Sequence, residues 1–310
     1  MGHPTLRQLM TFLAAVDSGS ITSAAKSLHL TQPAASQQLR DLERALGVRL
    51  LDRAKGRIMP TRAGEAVVAA ARRAQSAADD IVAAVAVFRD GTAGRVRVGT
   101  GATACIYLLP AMLARVKRRM PALEVTVATG NTPEILDRLE AGALDIALVT
   151  LPMRTSRAVV ATKLAPDPLL ALLPKALVAK GLARAGAGVD AAQLGKLPLI
   201  LYEAGSNTRR LVDDWFERAG VTASPIMELG SVEAIKVLVA SGLGASVLPK
   251  LALQEVARAT LLHPLRPALT RDLAYVLRKD KVIDRGLRVF LDELARAAGK
   301  PVGGGRNGAP

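Results

Sequence analysis

Aromatic residues and cysteine are both scarce in this chain. Aromatic side chains make up 3% of the 310 residues, and Cys105 is the single cysteine. One cysteine excludes an internal disulfide framework. The histidines, His3, His29 and His263, are isolated from one another in sequence and indicate no metal-binding motif. Because half of the chain is hydrophobic, its core must be built mainly from alanine, leucine and valine.

Long apolar runs are missing as well. The longest uncharged stretches, such as Val98 to Ala114, contain glycine and proline and fall short of the roughly 20 residues that a membrane-spanning helix needs. The N-terminus has no apolar segment typical of a signal peptide. We therefore expect a soluble, cytoplasmic protein without membrane contact.

The charge of the chain is one-sided, with a formal net charge of +15. A strong basic excess is typical of proteins that bind nucleic acid. The excess is spread along the whole chain, however, and a solvated basic surface would look the same. Charge alone therefore does not identify a DNA-binding segment.

A helix with an unusual polar face is predicted in "LTQPAASQQLRDLE", residues 30–43. Thr31 suits the N-cap and Pro33 the first turn, where no helical hydrogen bond is lost. The buried stripe at helical spacing comprises Ala35, Leu39, Leu42 and Leu46. The other face carries amides and a hydroxyl where lysine and glutamate are usual: Gln32, Ser36, Gln37 and Arg40.

Two shorter helices precede this one, and a hairpin follows it. The first helix runs from Thr5 to about Asp17, Gly19 ends it, and Ser20 can cap a second. The pieces "VRLL" and "RIMP" flank "DRAKG", with Gly56 at the predicted turn. This arrangement is typical of a helix-turn-helix with a wing.

The polar face of the third helix fits DNA recognition. Gln can bond bidentately to adenine, and Ser can bond donor or acceptor edges, in a major groove that admits a helix. Basic residues on this helix and the wing suit phosphate contacts, namely Arg40, Arg53, Lys55 and Arg57. The alternative, an ordinary solvated helix face, suffices for Gln37 alone but fits the whole arrangement poorly.

A long Ala-rich helix is predicted from Arg62 to about Arg89, about 40 Å in length. Its apolar seam comprises Ala66, Val67, Ala70, Ala74, Ile81 and Val85. The short N-terminal domain cannot bury the whole of this stripe. We therefore expect a homodimer through residues 62–90.

From Arg95 onwards, strand-like and helix-like segments alternate, which predicts parallel sheets covered by helices. The fold class is thus α+β, with a winged helix-turn-helix (1–61), a linker helix (62–90) and a two-lobed α/β domain (91–300). Lobe I is expected at about 91–164 and 265–300, and lobe II at about 165–264. Residues 301–310, rich in glycine, should be disordered.

Four turns, each after a predicted strand and before a helix, should converge on the cleft between the lobes. They offer backbone N–H groups and polar side chains to a ligand. The predicted effector-binding residues are Thr100, Gly101, Thr103, Asn131, Thr132, Ser206, Asn207, Thr208, Ser231 and Val232. Since helix N-termini favour anions, a small carboxylate is the expected effector. For any single Ser or Thr, ordinary helix capping is an adequate alternative.

The segment 4–62 resembles the N-terminal domain of LysR-type transcriptional regulators. The matching pieces are "SGSITSAAKSLHLTQPAASQQLRDLE", "LGVRLLDR" and "TRAGE", and the likeness extends more loosely to a two-lobed effector domain similar to periplasmic binding proteins. The resemblance implies that Gln32, Pro33, Ser36 and Gln37 approach bases, and that Thr31, Arg40 and Arg53 contact the DNA backbone. It also implies a homotetramer, DNA bending that changes with effector, and a role for Thr150 in effector binding.

We therefore expect a sequence-specific DNA-binding transcriptional regulator modulated by a small molecule, with no catalytic residues, cofactor or metal. One alternative rests on "GTGATA" (99–104), which fits a dinucleotide fingerprint with Glu124 at a suitable distance. It would make the chain a nicotinamide-dependent oxidoreductase fused to a DNA-binding domain. A second alternative is a sequence-indifferent architectural DNA-binding protein. Cys105 is expected to pack as a small hydrophobe rather than to sense oxidants.

Overall fold

The computed structural model describes residues 3–54, 56–86, 94–154, 156–177 and 188–299. The chain divides into two compact units, Met1–Thr92 with Glu140–Leu144, and Ala93–Leu139 with Asp145–Pro310. The predicted disordered tail, 301–310, lies outside the described residues, as does the end of the predicted linker helix, residues 87–90.

The N-terminal unit is a winged helix-turn-helix. Its elements are α1 (Leu6–Ser18), α2 (Ile21–Ser27), α3 (Gln32–Leu46), β1 (Leu51–Ala54), β2 (Arg57–Pro60) and α4 (Arg62–Ala86). The two predicted N-caps are present: the hydroxyls of Ser20 and Thr31 each accept from a backbone N–H of the following first turn. Thr5, predicted as the first residue of α1, caps that helix in the same way. β1 and β2 pair antiparallel as the predicted wing.

The core of this unit forms where the apolar stripes of α1 and α3 meet the wing. Phe12, Leu42 and Leu50 are fully buried there. Helix α4 begins after Thr61, whose Oγ1 accepts from the N–H of Gly64 at 3.0 Å. A Cβ at position 64 would overlap the carbonyl oxygen of Leu50, so only glycine lets α4 approach the backbone before the wing so closely.

The C-terminal unit contains the remaining strands, which are β3 (Arg95–Thr100), β4 (Glu124–Thr129), β5 (Ile146–Leu151), β6 (Val159–Pro174), β7 (Val189–Asp190), β8 (Leu199–Tyr202), β9 (Pro225–Leu229), β10 (Ser246–Pro249) and β11 (Thr260–Arg278). Its helices are α5 (Ala102–Tyr107), α6 (Leu109–Arg119), α7 (Thr132–Glu140), α8 (Lys175–Leu177), α9 (Ala191–Leu194), α10 (Asn207–Arg218), α11 (Val232–Ala240) and α12 (Arg285–Ala297), with a 3₁₀ turn at Lys250–Leu253.

The predicted alternation of strands and helices is present in both lobes. In lobe I, β3 lies between β4 and β5 and is parallel to both. In lobe II, β8 and β9 are parallel. Trp215 and Phe216 are buried in the core of lobe II, where they pack against its apolar side chains.

The connections between the lobes, which the predicted lobe boundaries place near residues 165 and 265, are two long strands. The strands β6 and β11 pair antiparallel over 159–174 and 260–278 and run through both lobes, so the large sheet is mixed in the order β10-β6-β11-β5-β3-β4. Because proline is uncommon inside strands, Pro166 and Pro168 make the β6 segment read as a loop in the sequence. They are tolerated because β10 pairs only with residues 169–172, so the prolines lie where β6 has a free edge.

The segment between β3 and β4 forms two helices rather than one. α5 ends at Tyr107 and α6 starts at Leu109, with Pro110 in the first turn of α6. Proline cannot donate the backbone hydrogen bond that would continue α5 through this point. The break leaves α5 as a short helix directly after β3.

A buried charge cluster fixes β3 against β5. Asp145 accepts from the guanidinium of Arg97 at 2.9 and 3.0 Å and lies 3.0 Å from the ammonium of Lys281. Burial alone would raise the pKa of Asp145, but the hydrogen bonds and charges of Arg97 and Lys281 outweigh it and hold this pKa below its usual value.

Within the described residues, no helix combines the length and apolar character needed to cross a membrane.

Candidate functional site

The polar face of α3 is open to solvent. Of the predicted DNA-binding residues, Thr31, Gln32, Pro33, Gln37, Arg40, Arg53 and Arg57 are exposed and Ser36 is half-buried. Lys55 lies outside the described residues. The apolar stripe of α3 is buried at Ala35, Leu39 and Leu42. The helix therefore presents its amides and hydroxyl outward from the folded unit.

These side chains are linked along the helix rather than loose. Gln32 donates through Nε2 to the hydroxyl of Ser36 at 2.9 Å. Gln37 donates through Nε2 to Asp41 Oδ1 at 2.9 Å and accepts on Oε1 from Arg40 at 2.6 Å. Asp41 also accepts from Arg44 at 2.8 Å. Periodicity alone did not single out Asp41.

The wing is held to the end of α3 by a carboxylate. Glu43 Oε1 accepts from the backbone N–H groups of Leu50 and Leu51 at 2.8 and 3.2 Å. Glu43 thereby positions the strand that carries Arg53. No pattern in the sequence signals this role, because the two amides follow seven and eight residues later in an irregular turn.

A cavity of about 350 Å³ lies between the two lobes of the C-terminal unit. Its wall is formed by the starts of α5, α7 and α10, the ends of β4 and β8, and residues of β5 and β11. The predicted residues in its wall are Gly101, Thr103, Asn131, Thr132, Thr150, Ser206, Asn207 and Thr208. Three of the four predicted turns thus meet as expected from their place after the strands.

Three predicted residues do not belong to the cavity wall. Thr100 is fully buried, and its hydroxyl donates to the carbonyl of Gly101 at 3.3 Å. Ser231 accepts from the N–H of Ala234 as the N-cap of α11, and Val232 is fully buried in the core of lobe II. At this turn Gly230 lines the cavity instead. For Ser231 the ordinary capping interpretation is therefore the better one.

Asn207 joins the lobes with its side-chain amide. Its Nδ2 donates to the carbonyl oxygens of Thr150 and Pro152 at 2.6 and 2.9 Å. Both amide hydrogens are thus donated to the end of β5 and the residue after it, and Oδ1 is the atom left for a ligand. Asn207 therefore sets the distance between the start of α10 and the end of β5.

A buried ion pair forms the floor of the cavity. Arg271 donates to Asp167 from Nε and Nη2 at 2.9 and 2.8 Å, and from Nη1 to the hydroxyl of Thr208 at 2.8 Å. Asp167 also accepts from the N–H of Leu251 at 2.9 Å. The side chains of Arg271 and Asp167 are only 4% and 5% exposed. The pair joins the two long strands β6 and β11 directly, since residues 167 and 271 are register partners.

Tyr202 is another buried polar residue in the wall. Its hydroxyl lies 3.5 Å from Thr103 Oγ1, which brings lobe II into contact with lobe I. Burial raises the pKa of Tyr202, so the phenol stays protonated and can donate to a ligand. A further contact between the lobes is made by the ammonium of Lys236, which donates to the hydroxyl of Tyr107 at 2.9 Å.

The sequence interpretation missed Tyr202, Arg271 and two exposed acidic residues of the wall, Glu134 and Glu203. Tyr202 and Glu203 could have been found, because they end and follow the strand "LILY" at the same sheet edge as the predicted turns. Arg271 lies inside β11, and its role depends on a partner 104 residues away. No local pattern reveals such a pairing.

The segment "GTGATA" leads from β3 into α5, and Gly101 to Ala104 line the cavity. Cys105, in the same helix, is half-buried and packs against the core of lobe I. In the part of the chain that the structure describes, no group of three or more His, Cys, Asp or Glu side chains could hold a metal ion.

Two families match this chain along most of its length. Residues 6–65 match the family described as bacterial regulatory helix-turn-helix protein, lysR family. Residues 89–299 match the LysR substrate binding domain. The first range holds the winged helix-turn-helix, and the second holds both lobes.

Relatives match over similar lengths. The chain is 32% identical over 293 residues to the uncharacterized HTH-type transcriptional regulator YeiE of Escherichia coli strain K12, covering 94% of this chain and 97% of that one. It is 35% identical over 244 residues to the HTH-type transcriptional regulator CbbR of Xanthobacter flavus, covering 78% and 72%.

Solved structures share the architecture. A full-length OxyR variant from Pseudomonas aeruginosa has a TM-score of 0.76 at 26% identity, covering 95% of each chain. Full-length CbnR complexed with its target DNA has a TM-score of 0.67 at 23% identity, covering 94% of this chain and 99% of CbnR, a likeness of fold. With both domains matched in the order that the sequence predicts, the chain belongs to the LysR family of DNA-binding transcriptional regulators, which carry an effector-binding domain.

Proposed function

We propose that this regulator reads a promoter site with the exposed face of α3 and contacts the flanking phosphates with its wing. Gln32, Ser36 and Gln37 would face the base edges, with Pro33 close by. Thr31, Arg40, Arg53, Lys55 and Arg57 would contact the backbone. The single observation that carries this proposal is the exposed polar face of α3, because its amides are not needed for the core of the unit.

The interlobe cavity is the proposed effector site. Its wall offers hydroxyl groups from both lobes, among them Thr103, Thr132 and Ser206. A ligand that bridges these groups would add to the direct contacts that already join the lobes, Tyr202 with Thr103 and Asn207 with Thr150. Ligand binding would therefore shift the equilibrium between open and closed lobe arrangements. This shift is the conformational change that would alter DNA binding.

The proposed effector is a small acid with one carboxylate. The starts of α7 and α10 bring N–H groups without helical partners to the cavity. The guanidinium of Arg271 retains Nη hydrogens beyond those given to Asp167 and Thr208. Glu134 and Glu203 add two negative charges to the wall, so a ligand with several anionic groups would be repelled.

The proposed assembly is a homodimer through residues 62–90, with a homotetramer as the family resemblance implies. Ile81 and Val82 of α4 are 69% and 63% exposed, although both are large and apolar. Such a stripe is stable in water only when a partner covers it.

The protein would act by binding promoter DNA. It would therefore work in the cytoplasm and would need no catalytic residue or cofactor.

Salt-titrated DNA binding tests the proposed base contact. A duplex selected by the full chain from random DNA and a scrambled duplex serve as probes, and affinity is followed by fluorescence anisotropy. Gln37→Ala should reduce the discrimination between the two duplexes by about 1–3 kcal/mol, the value of a bidentate base contact. Arg53→Ala should weaken both complexes alike and reduce the salt slope by about one, as loss of a phosphate contact does.

Arg118→Ala is the matched control, because Arg118 is an exposed arginine of α6, outside the proposed DNA surface. It removes the same charge as Arg53→Ala and should change neither measurement appreciably. Equal behaviour of Gln37→Ala and Arg53→Ala would rule out α3 as the base-reading element. Equal affinity of the wild-type chain for both duplexes would instead favour the sequence-indifferent architectural protein.

A further inference from the structure

The base that Gln37 can read depends on which way its side-chain amide points. A glutamine amide has a donor and an acceptor end of nearly the same shape, so nothing in its own geometry fixes the orientation. Gln37 is exposed on α3, and an isolated amide there could present either end to a base pair. A base preference at this position requires something to fix the amide.

Two charged neighbours fix it. Asp41, one turn further along α3, can only accept, and it receives a hydrogen bond from Gln37 Nε2 at 2.9 Å. Arg40 can only donate, and its Nη2 donates to Gln37 Oε1 at 2.6 Å. The reversed amide would set NH₂ against the guanidinium and the carbonyl oxygen against the carboxylate. Both contacts would be repulsive.

The carboxylate of Asp41 is itself held in place. Arg44 Nη1 donates to the same oxygen, Oδ1, at 2.8 Å, and the Asp41 side chain is 34% exposed. Arg40, Gln37, Asp41 and Arg44 thus form one hydrogen-bonded row along the outer face of α3. Arg40 has five N–H donors, so it can keep this bond while it contacts a phosphate. Asp41 has no comparable role towards DNA, because its charge repels phosphates.

We infer that Asp41 is a positioning residue for base recognition: it fixes the amide of Gln37 so that one acceptor and one donor remain for adenine. The free lone pair of Oε1 and the free hydrogen of Nε2 match the N6 donor and N7 acceptor of adenine. Guanine offers two acceptors at the same edge, so the fixed amide disfavours it. This inference rests on the proposed function, in which Gln37 faces base edges.

Selection from duplex DNA with a randomised central segment tests the inference on the full chain. The wild type should prefer dA at one position per half-site by about 5- to 150-fold, the range expected for a bidentate contact. Asp41→Asn keeps the shape but can donate as well as accept, so the preference at that position alone should fall to about threefold or less. Asp41→Glu keeps an acceptor-only group within reach and should retain the preference.

Asp52→Asn is the matched control, since it makes the same chemical change at an exposed carboxylate of the wing that pairs with Arg49 and does not contact Gln37, and it should leave the selected sequence unchanged. A chemical readout comes from replacing the selected adenine by 7-deazaadenine, which lacks the N7 acceptor. The wild type should bind the modified duplex more weakly than the unmodified one. Gln37→Ala and Asp41→Asn should bind the two duplexes with equal affinity. A structural role of Asp41 in helix stability would not produce that pattern.

The outcomes separate the inference from the function on which it rests. If Gln37→Ala relaxes one base position and folded Asp41→Asn does not, the positioning role is overturned while base reading by α3 stands. If Gln37→Ala relaxes no position, both are overturned. Circular dichroism checks that each variant is folded, and Asp41→Ser, which also removes the carboxylate, decides the matter should Asp41→Asn fail to fold.

Discussion

At the scale of single residues, the buried pair of Arg271 and Asp167 links fold to function. Burying two charges away from water is costly. The cost is offset here because Arg271 and Asp167 bond to each other, Arg271 also donates to Thr208, and Asp167 also accepts from the N–H of Leu251. The same guanidinium lines the cavity. A residue that joins the two long strands can therefore also contact an effector.

Breaking this pair should destabilise the C-terminal unit strongly. Asp167→Asn leaves the buried guanidinium without its counter-charge, so the free energy of unfolding should fall by about 3–5 kcal/mol. Urea denaturation followed by fluorescence of Trp215, the single tryptophan, measures it. The control is Asp272→Asn on the neighbouring strand β11, whose partner Lys163 is 55% exposed. This change should cost no more than about 1 kcal/mol.

A double replacement separates charge from packing. Arg271→Met combined with Asp167→Leu removes both charges and keeps apolar volume, so it should be more stable than either single charge-removing variant. A double variant as unstable as Asp167→Asn would show that the pair matters for its hydrogen-bond geometry with Thr208 and Leu251 rather than for charge balance.

The residue scale also shows the limits of inference from sequence. Gln32, Ser36 and Gln37 were predicted, because an amide-rich face on a capped helix is a local pattern. Eight of the eleven predicted effector residues line the cavity, and all of these but Thr150 were predicted because helix starts after strands collect at one sheet edge. Arg271 and Asp41 were not, because their roles depend on what a side chain contacts across strands or along a solvent-exposed face.

At the scale of elements, short-range rules worked for the helices and less well for the long strands. Capping residues and apolar periodicity predicted α1 to α4 within a few residues. The long strands β6 and β11 were not predicted as such, because prolines and register shifts break the alternation of apolar and polar residues. Their antiparallel pairing depends on contacts about 100 residues apart, which no local window contains.

Helix α4 carries the prediction for assembly. Val67 packs against the core of its own unit, whereas Ala66 and Ala70 are exposed and Ile81 is 69% exposed; the side chain of Val85 lies outside the described residues. The proposed partner surface is therefore centred on the second half of the helix. Ile81→Asp with Val82→Asp would place unpaired charges in the dimer seam at high cost.

Sedimentation of the full chain measures the result. The double variant should have half the mass of the wild type, because one of its interfaces is lost. Its affinity for a two-half-site duplex should also fall, since the two half-sites are no longer held together. Val237→Asp is the control, because Val237 is 63% exposed on α11 and outside the proposed seam. An unchanged mass for the α4 variant would place the interface elsewhere.

At the scale of the whole molecule, the protein combines a reading unit with a two-lobed unit whose cavity is lined from both lobes. The lobes share a continuous sheet through β6 and β11 and touch at Tyr202 with Thr103 and at Lys236 with Tyr107. A ligand that changes these contacts shifts the equilibrium between lobe arrangements. The size of the shift equals the difference in its binding free energy for the two arrangements.

A thermal-shift screen with small carboxylic acids should yield a cavity ligand. At 100 times its Kd such a ligand stabilises the folded protein by roughly 2.7 kcal/mol. Thr132→Val and Ser206→Ala, one in each lobe wall, should weaken it, since each leaves a ligand group unpaired at a cost of about 1–3 kcal/mol. Val160→Thr, at an exposed site outside the cavity wall, is the control.

The most direct test of effector control measures DNA bending in the complex by energy transfer between dyes at the two ends of a selected duplex, with and without that ligand. We expect the ligand to change the energy transfer for the wild-type chain. The same ligand concentration should leave it unchanged for Thr132→Val with Ser206→Ala, whose DNA affinity without ligand stays within a few-fold of the wild type. An equal response of the wild type and the double variant would contradict control of DNA binding through the interlobe cavity.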